Sequence, residues 1–271
     1  MKKLGRELDS KQYWEELGCT YSTALDNDYH KHRLAVICNL LPQELFKPGQ
    51  QVFDFGCGDA VLFPPFLEAG AHIRGVDFST EMITLARKRL ANGGWDDNLV
   101  QIGDAHYLRE IQSASLDALL SFNVLAYLSD DEERLFYHEA SRIVRRGGYL
   151  VVTHSNELFD MFSLNRYTLE FFKKYFITDA SYRAQLDALL TSAHIPENPT
   201  VYNNRENPLT YKYKLMKYKF NEERQEFINL HIAPPPLLQN KSYPDTLRIS
   251  EKDKWRLMFI CSTFGSLSMR L

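Results

Sequence analysis

Short apolar runs alternate with segments of helical periodicity between Gln51 and Val152. This alternation is typical of βαβ units, in which each helix crosses between two parallel strands. We therefore expect an α/β fold with a mostly parallel sheet flanked by helices. The predicted strands are Gln51–Phe55, His72–Val76, Leu99–Ile102, Ala118–Phe122 and Tyr149–Thr153.

Two helices between these strands carry boundary signals. The first is predicted from about Ser79 to Leu90, where apolar residues recur along one face. The second begins at a capping box formed by Ser129 and Glu132. Gly147 and Gly148 are expected to end this second helix, because glycine is common just beyond helix C-termini.

The flanks of the α/β region divide the chain into four predicted parts. Two strands near the C-terminus, Phe220–Ile232 and Arg256–Arg270, are expected to pair antiparallel because no helix of crossover length separates them. The four parts are a helical lead-in or lid (residues 1–46), the α/β core (47–155), a helical insertion that caps the site (156–207), and a C-terminal helix with the two late strands (208–271).

Composition and charge exclude several classes of protein. No apolar run is long enough to span a bilayer and the N-terminus lacks a signal-peptide pattern, so a cytoplasmic location and no membrane partner are expected. The four cysteines form no Cys-x-x-Cys pair, which predicts free thiols and no metal site. A net charge of −3 makes a nucleic-acid partner unlikely. The lysine- and tyrosine-rich stretch 211–219 is interpreted as a solvated helix face rather than an RNA-binding surface.

The first predicted strand ends in an acidic residue, Asp54, followed by a turn containing Gly56 and Gly58. Glycine is needed where backbone approaches a ligand closely, and the N-terminus of the next helix offers unpaired N–H groups. The dinucleotide fingerprint would require a small residue three places after Gly58, but Val61 stands there. A nucleoside binder other than a nicotinamide enzyme is therefore favoured.

Three acids, Asp54, Asp77 and Asp104, follow the first three predicted strands. The carboxyl ends of parallel strands share one edge of the sheet, and open α/β sheets bind ligands at that edge. Asp77 lies about 20 residues beyond the glycine turn, the separation at which an acid binds ribose hydroxyls. Three carboxylates would repel phosphate and attract a cationic nucleoside.

Residues from about Gln51 to Val152 resemble a class I S-adenosylmethionine-dependent methyltransferase. The resemblance implies a seven-stranded, mostly parallel sheet with an antiparallel last strand, and S-adenosylmethionine as cofactor. It places the glycine turn against the methionine part, Asp77 on the ribose and Asp104 with Ala105 at the adenine. Ala60 departs from the family pattern, in which a third glycine is common. The implied cofactor-binding residues are Asp54, Gly56, Gly58, Asp77, Phe78, Asp104, Ala105, Asn123 and Tyr21.

Each acid also has a structural interpretation. Asp54 is equally compatible with a buried acid that is satisfied by local N–H groups. Asp77 would be free to cap the following helix, although Ser79 already fills that position. Asp104 is compatible with a simple turn residue after Gly103.

The acceptor pocket is expected over the carboxyl ends of the fourth and fifth strands, beneath the lead-in helix and the insertion. Tyr29 and His30 of the lead-in, and Arg166 and Arg205 of the insertion, are candidate substrate-binding residues. The arginines would hold a carboxylate or phosphate through their planar forks, or form solvated salt bridges instead.

His154 is the leading candidate for the catalytic base, because it ends the predicted fifth strand and imidazole titrates near neutrality. Tyr127 is the second candidate, with His30 and His231 as further alternatives. A histidine that only hydrogen-bonds the strand end or packs beneath the insertion is the competing interpretation.

The sequence therefore predicts methyl transfer to an oxygen or nitrogen of a small metabolite, which is sugar-linked or anionic. An RNA or protein methyltransferase is an alternative, although no Asn-Pro-Pro-Tyr-type run follows the fourth strand. A non-catalytic protein that binds S-adenosylmethionine is another. The acceptor, the methylated atom and the oligomeric state are left open by the sequence.

Overall fold

One eight-stranded sheet organises the protein in the computed structural model, which describes residues 28–175, 180–192, 204–231, 234 and 250–271. The strand order is β3-β2-β1-β4-β5-β8-β7, and β6 pairs with β5 off this path. Among the described strands, β8 alone runs in the opposite direction, so its pairs with β5 and β7 are both antiparallel, as expected for the last strand. The strands are β1 (Gln51–Phe55), β2 (His72–Asp77), β3 (Val100–Ile102), β4 (Leu116–Ser121), β5 (Val144–Asn156), β6 (Arg205–Glu206), β7 (Phe220–Leu230) and β8 (Cys261–Arg270).

The helices pack on both sides of this sheet, as the alternating pattern predicts. The expected caps are present: the Ser79 side chain accepts from Met82 N, and Ser129 with Glu132 forms both halves of the capping box. The described helices are α1 (Asp28–Leu40), α2 (Phe63–Glu68), α3 (Thr80–Asn92), α4 (Asp130–Ile143), α5 (Asp160–Ser163), α6 (Arg166–Tyr175), α7 (Ala180–Ser192), α8 (Tyr211–Lys217) and α9 (Leu257–Ile260).

The hydrophobic core lies on the two faces of the sheet, because successive strand residues point to opposite sides. Phe53 of β1 belongs to the layer beneath α4 and α8, whereas Val52 belongs to the layer beneath α1, α2 and α3. On β5, Val152 and Val151 divide in the same way. Both layers are fully covered, which leaves the ends of the strands as the places for polar chemistry.

Two element boundaries differ from the prediction. Helix α4 already ends at Ile143, and Val144 pairs with Leu116, so Gly147 and Gly148 lie inside β5 rather than ending the helix. The expected late strand from Arg256 begins only at Cys261, because residues 251–260 form two short helical turns.

The four-part division stays a prediction, and most of the lead-in (1–46) lies outside the described residues. The insertion is not entirely helical, since it supplies β6 to the sheet. No helix in the described part of the chain is long and apolar enough to cross a membrane.

Candidate cofactor and acceptor site

The glycine turn after β1 is tied to β2 by backbone hydrogen bonds. Gly56 N and Cys57 N both donate to Val76 O, at 2.8 and 3.0 Å. Gly56 and Gly58 have φ of 77° and 52°, in the left-handed region that favours glycine. The turn is therefore held open against the end of β2.

Within the protein, Gly56 is crowded by neighbouring atoms and Gly58 is not. A Cβ on Gly56 would lie 2.1 Å from Val124 Cγ2, whereas a Cβ on Gly58 would have no atom within 4 Å. Gly56 is thus required by packing, and Gly58 faces open space at the ligand edge. Ala60 adopts φ of 57° and is buried, so alanine is accommodated at the position where the family commonly has glycine.

Asp77 joins the glycine turn to the end of β2. Its carboxylate accepts hydrogen bonds from Gly58 N at 3.0 Å and from Ser79 N at 2.9 Å. Burial raises the pKa of the Asp77 carboxyl, and the two backbone N–H groups oppose that increase. Each carboxylate oxygen has two lone pairs, so both retain capacity for a ligand hydroxyl.

Asp54 is a buried acid with no partner for its Oδ1 atom in the described part of the chain. It is only 3% exposed. Burial raises the pKa of Asp54 to about 8, and the nearby Asp77 charge contributes in the same direction. The carboxyl is therefore mostly neutral at pH 7, and a cationic group beside it would favour ionisation. Satisfaction by local N–H groups, the alternative considered from sequence, is not observed at Oδ1.

The other predicted cofactor residues surround the same strand ends. Asp104 is exposed and accepts from His106 N at 2.8 Å, as a capping residue does. Ala105 is buried, and Phe78 is half-buried. Asn123 follows β4 with φ of 62°, and its N–H donates to Thr153 Oγ1 at 2.7 Å. Tyr21 lies outside the described residues.

His154 occupies a different position from the expected one. Strand β5 continues to Asn156, and the His154 ring packs in the core at 5.3 Å from Phe264 and 4.5 Å from Tyr211. Its Nε2 lies 3.2 Å from Tyr137 Oη. Burial lowers the pKa of His154 well below its usual range, and the Lys214 charge acts in the same direction. This packing matches the competing structural interpretation, and the catalytic role stays a prediction.

A charged cluster adjoins His154. A carboxylate oxygen of Glu133, a ring nitrogen of His154 and a carboxylate oxygen of Glu206 lie within 4.8 Å of one another. Lys214 Nζ lies 2.7 Å from Glu133 Oε1 and 2.6 Å from Glu206 Oε2, so its ammonium bridges the two carboxylates. Lys214 was expected on a solvated face, but its side chain is only 26% exposed. The spacing of the lysines alone carried no signal for this pairing.

Only some of the residues predicted to contact the acceptor have side chains in the described part of the structure. Tyr29 and His30 belong to α1, but their side chains lie outside the described residues. Tyr127 is half-buried in a short helical turn after β4. Arg166 begins α6 and is half-buried, as is Arg205 in β6.

Asp160 lies beside Arg205, a contact that the sequence prediction missed. Its Oδ1 lies 3.3 Å from Arg205 Nε, and the Arg205 guanidinium lies over the Tyr167 ring at 4.1 Å. An acid four residues after the end of β5 was the available signal. His231, an alternative base, is buried against Phe159, and burial lowers its pKa to about 4.

Sequence similarity to known proteins covers about 40% of this chain. Residues 53–152 match the family model described as a methyltransferase domain. The ubiquinone biosynthesis O-methyltransferase of Cupriavidus pinatubonensis is 29% identical over 108 residues, covering 40% of this chain and 42% of that protein. The arsenite methyltransferase of Halobacterium salinarum is 28% identical, covering 39% of this chain and 27% of that protein. The matched segment thus spans less than half of each relative.

Solved structures extend the likeness of fold to nearly the whole chain. A chain from the complex between the Haloferax volcanii Trm112 methyltransferase activator and a methyltransferase aligns with a TM-score of 0.61 and 17% identity, covering 97% of this chain and 99% of that chain. Magnesium protoporphyrin IX methyltransferase from Synechocystis, with bound S-adenosylhomocysteine, aligns with a TM-score of 0.59 and 14% identity, covering 97% and 98%. Residues 53–152 are therefore similar to a methyltransferase domain, and the chain shares its fold with these solved methyltransferase structures.

Proposed function

We propose that this protein transfers a methyl group from S-adenosylmethionine to an oxygen or nitrogen atom of a small molecule. The observation that supports the proposal most is a pair of carboxyls, buried Asp54 and half-buried Asp77, beside the glycine turn, where Gly58 has open space around it. Asp54 has an unpartnered oxygen, which suits a ligand carrying positive charge. When bound, S-adenosylmethionine supplies an electrophilic methyl group on a cationic sulfur.

The residues of the strand ends have distinct roles in this proposal. Asp77 binds the ribose hydroxyls through its remaining lone pairs while it holds the glycine turn. Gly56 and Gly58 let the backbone approach the methionine part, and Asn123 lines the transfer site. Phe78, Asp104 and Ala105 contact the adenine side, and Tyr21 of the lead-in covers the cofactor.

The acceptor is placed over the ends of β4 and β5, where the nucleophile can approach the methyl group in line. Tyr29, His30, Arg166 and Arg205 are the proposed acceptor contacts. Tyr127 is the proposed base, and His154 is the less favoured candidate because its ring is packed in the core. Relatives named for ubiquinone biosynthesis and arsenite methylation, and a structural neighbour named for magnesium protoporphyrin IX, support a small molecule as acceptor.

Two alternatives use the same cofactor residues. An RNA or protein methyltransferase would need an open acceptor surface, and a non-catalytic binder would need no acceptor. A cytoplasmic location also stays a prediction. One structural neighbour comes from a complex with an activator protein. Binding of a protein partner should therefore be tested, as should the oligomeric state.

The proposal is tested in two stages. Calorimetry measures S-adenosylmethionine binding to the wild type, to Asp77→Ala and to the control Asp97→Ala, an exposed acid outside the site. The protein is then incubated with methyl-labelled cofactor and, separately, with small-metabolite pools, total RNA and total protein. Label in small molecules that is lost in Asp77→Ala is expected.

Each other outcome contradicts part of the proposal. Label in RNA or protein would replace the acceptor class. Cofactor binding without label in any pool would favour the non-catalytic alternative. Absence of cofactor binding by the folded wild type would overturn the proposed function as a whole.

A further inference from the structure

Strand β6 places Arg205 directly beyond the end of β4. Strand β5 pairs with β8 on one side up to Ser155, and with β4 on the other side only as far as Val152, opposite Ser121. Ser155 then pairs with Arg205, so β6 takes the position that β4 leaves. This position is the part of the sheet edge where the proposed function places the acceptor.

A neighbouring asparagine fixes this short strand to the loop after β4. Asn204 N donates to Ala126 O at 2.6 Å, and Asn204 Nδ2 donates to Leu128 O at 2.8 Å. Arg205 is therefore held beside the loop that follows Asn123, and its location does not depend on surface contacts.

The Arg205 guanidinium is oriented but not hydrogen-bonded within the described structure. It lies over the Tyr167 ring, 4.1 Å from the centroid. Its Nε is 3.3 Å from Asp160 Oδ1, yet neither of these buried atoms makes a hydrogen bond in the described part of the chain. Buried polar atoms without a hydrogen bond destabilise the folded state, so this ion pair needs an explanation. The Arg205 side chain is still 19% exposed, whereas that of Asp160 is only 6% exposed.

The charges around Asp160 determine which ligand this arrangement suits. Glu157 is already engaged, since Lys174 Nζ lies 2.5 Å and Tyr175 Oη 2.7 Å from its carboxylate. Helix α9, which packs over this region, contributes the apolar side chains of residues 257–260. Burial raises the pKa of Asp160 to about 7; Arg205 and Lys174 oppose the increase and Glu157 adds to it. When Asp160 is protonated, the charge of Arg205 is left uncompensated.

We propose that Arg205, stacked on Tyr167 and adjoining Asp160, binds a planar carboxylate of the methyl acceptor. The inference rests on the proposed function, which makes the molecule that carries the carboxylate the methyl acceptor. A guanidinium edge binds a carboxylate through two parallel hydrogen bonds, and the tyrosine ring fixes the plane of the fork. A carboxylate carries one negative charge, which Arg205 neutralises, whereas a dianionic phosphate beside Asp160 and Glu157 would leave an excess.

Benzoate is the probe for this subsite, and benzamide is its neutral match. Both are titrated by calorimetry into protein with and without saturating S-adenosylhomocysteine, at pH 6 and pH 8. Benzoate is expected to bind at least tenfold more tightly than benzamide, and more weakly at pH 8 than at pH 6, because ionised Asp160 repels it. Arg205→Lys and Arg205→Ala should each lose at least tenfold in benzoate affinity.

Asp160→Asn keeps the shape of the side chain and imitates its protonated charge. This variant should bind benzoate at pH 8 as tightly as the wild type does at pH 6, with no pH dependence between them. Arg134→Ala removes an exposed arginine of α4 and serves as the matched control with unchanged benzoate affinity. Thermal unfolding of each variant checks that the fold is retained.

The contrary results are distinct from those that concern the cofactor. Equal affinity for benzoate and benzamide, or no benzoate binding in folded protein, would overturn the carboxylate subsite. Binding of benzylamine that Asp160→Asn abolishes would assign the site to a cation instead. The wild type could also fail to bind S-adenosylhomocysteine and still bind benzoate more tightly than benzamide. That result would contradict the proposed function but not the carboxylate subsite.

Discussion

Two polar regions of this protein are built in opposite ways. The cofactor edge, residues 54–58 and 77, consists of strand ends whose carboxyls face backbone N–H groups or no partner. The second region consists of charged side chains that face one another, which are Glu133, Asp160, Arg205, Glu206 and Lys214. Removing a group from the cofactor edge should therefore weaken ligand binding, whereas removing one from the Lys214 cluster should mainly cost stability.

The largest effect is expected at Lys214. In Lys214→Ala, Glu133 and Glu206 would face each other without the ammonium that now bridges them. Breaking a buried ion pair costs about 3–5 kcal/mol, and partial exposure of Lys214 places the expected loss near the lower limit. Chemical denaturation measures the change, and S-adenosylmethionine affinity should not change.

Lys212→Ala is the control for this prediction, because Lys212 is exposed on the same helix α8. Its unfolding free energy should stay within about 0.5 kcal/mol of the wild-type value. A weakened cofactor affinity in folded Lys214→Ala would show that the two regions are coupled, contrary to the comparison.

The second prediction concerns Asp77, where the effect should appear in binding. Asp77→Ala removes the acceptor for Gly58 N and Ser79 N as well as the proposed ribose contact. Hydrogen bonds to charged groups contribute roughly 1.5–3 kcal/mol, so S-adenosylmethionine affinity should fall tenfold or more. Calorimetry on the folded variant measures this loss, and unchanged affinity would remove Asp77 from the site.

The same contrast explains which parts of the structure were predictable. The cofactor edge depends on residues near strand ends, and the apolar alternation gave β1 its observed limits, Gln51–Phe55. The contacts between Asp160 and Arg205, or between Glu133 and Lys214, join residues 45 and 81 positions apart. No local pattern encodes such pairs, since each joins elements that are distant in the sequence and meet only in the folded chain.

Smaller errors had local physical causes. Gly147 and Gly148 were expected to end α4, but β-pairing of Val144 with Leu116 begins before them. No sequence pattern indicated the close contact between Gly56 and Val124, a residue of another loop. His154 was placed at a strand end because the length of β5 was underestimated.

A third prediction uses the raised pKa of Asp54, which is about 8 in the folded protein against an ordinary value of 3.8. The folded ligand-free protein binds the extra proton, so stability should fall as pH rises from about 4 through 8. A cationic ligand favours the ionised carboxyl, so S-adenosylmethionine should bind more tightly as pH rises from 6 to 8.5. The gain is limited by the increase in the ionised fraction of Asp54 over this pH range.

Asp54→Asn separates this effect from titration of the ligand itself. The variant should lose the Asp54 part of the pH dependence in calorimetry and should be more stable than the wild type at pH 8.5 without ligand. Parallel affinity curves for the two proteins would mean that Asp54 does not sense the charge of the ligand.

The smallest effect is expected at His154, where the two interpretations predict different turnover. A general base would contribute roughly 10²–10⁴-fold to the rate. The observed ring is enclosed by Tyr137, Tyr211 and Phe264, and its lowered pKa keeps it neutral and weakly basic near pH 7. We therefore expect His154→Gln, which retains a polar group near Tyr137 Oη, to reduce turnover less than tenfold. The dependence of turnover on pH in the neutral range should be unchanged when turnover is compared at a temperature where both proteins are folded.

Turnover against pH, measured with an acceptor found in the labelling experiment, distinguishes the two interpretations of His154. A loss of two orders of magnitude that follows the ionisation of a single group would restore His154 as the base. It would also require the ring to leave its present packing during the reaction.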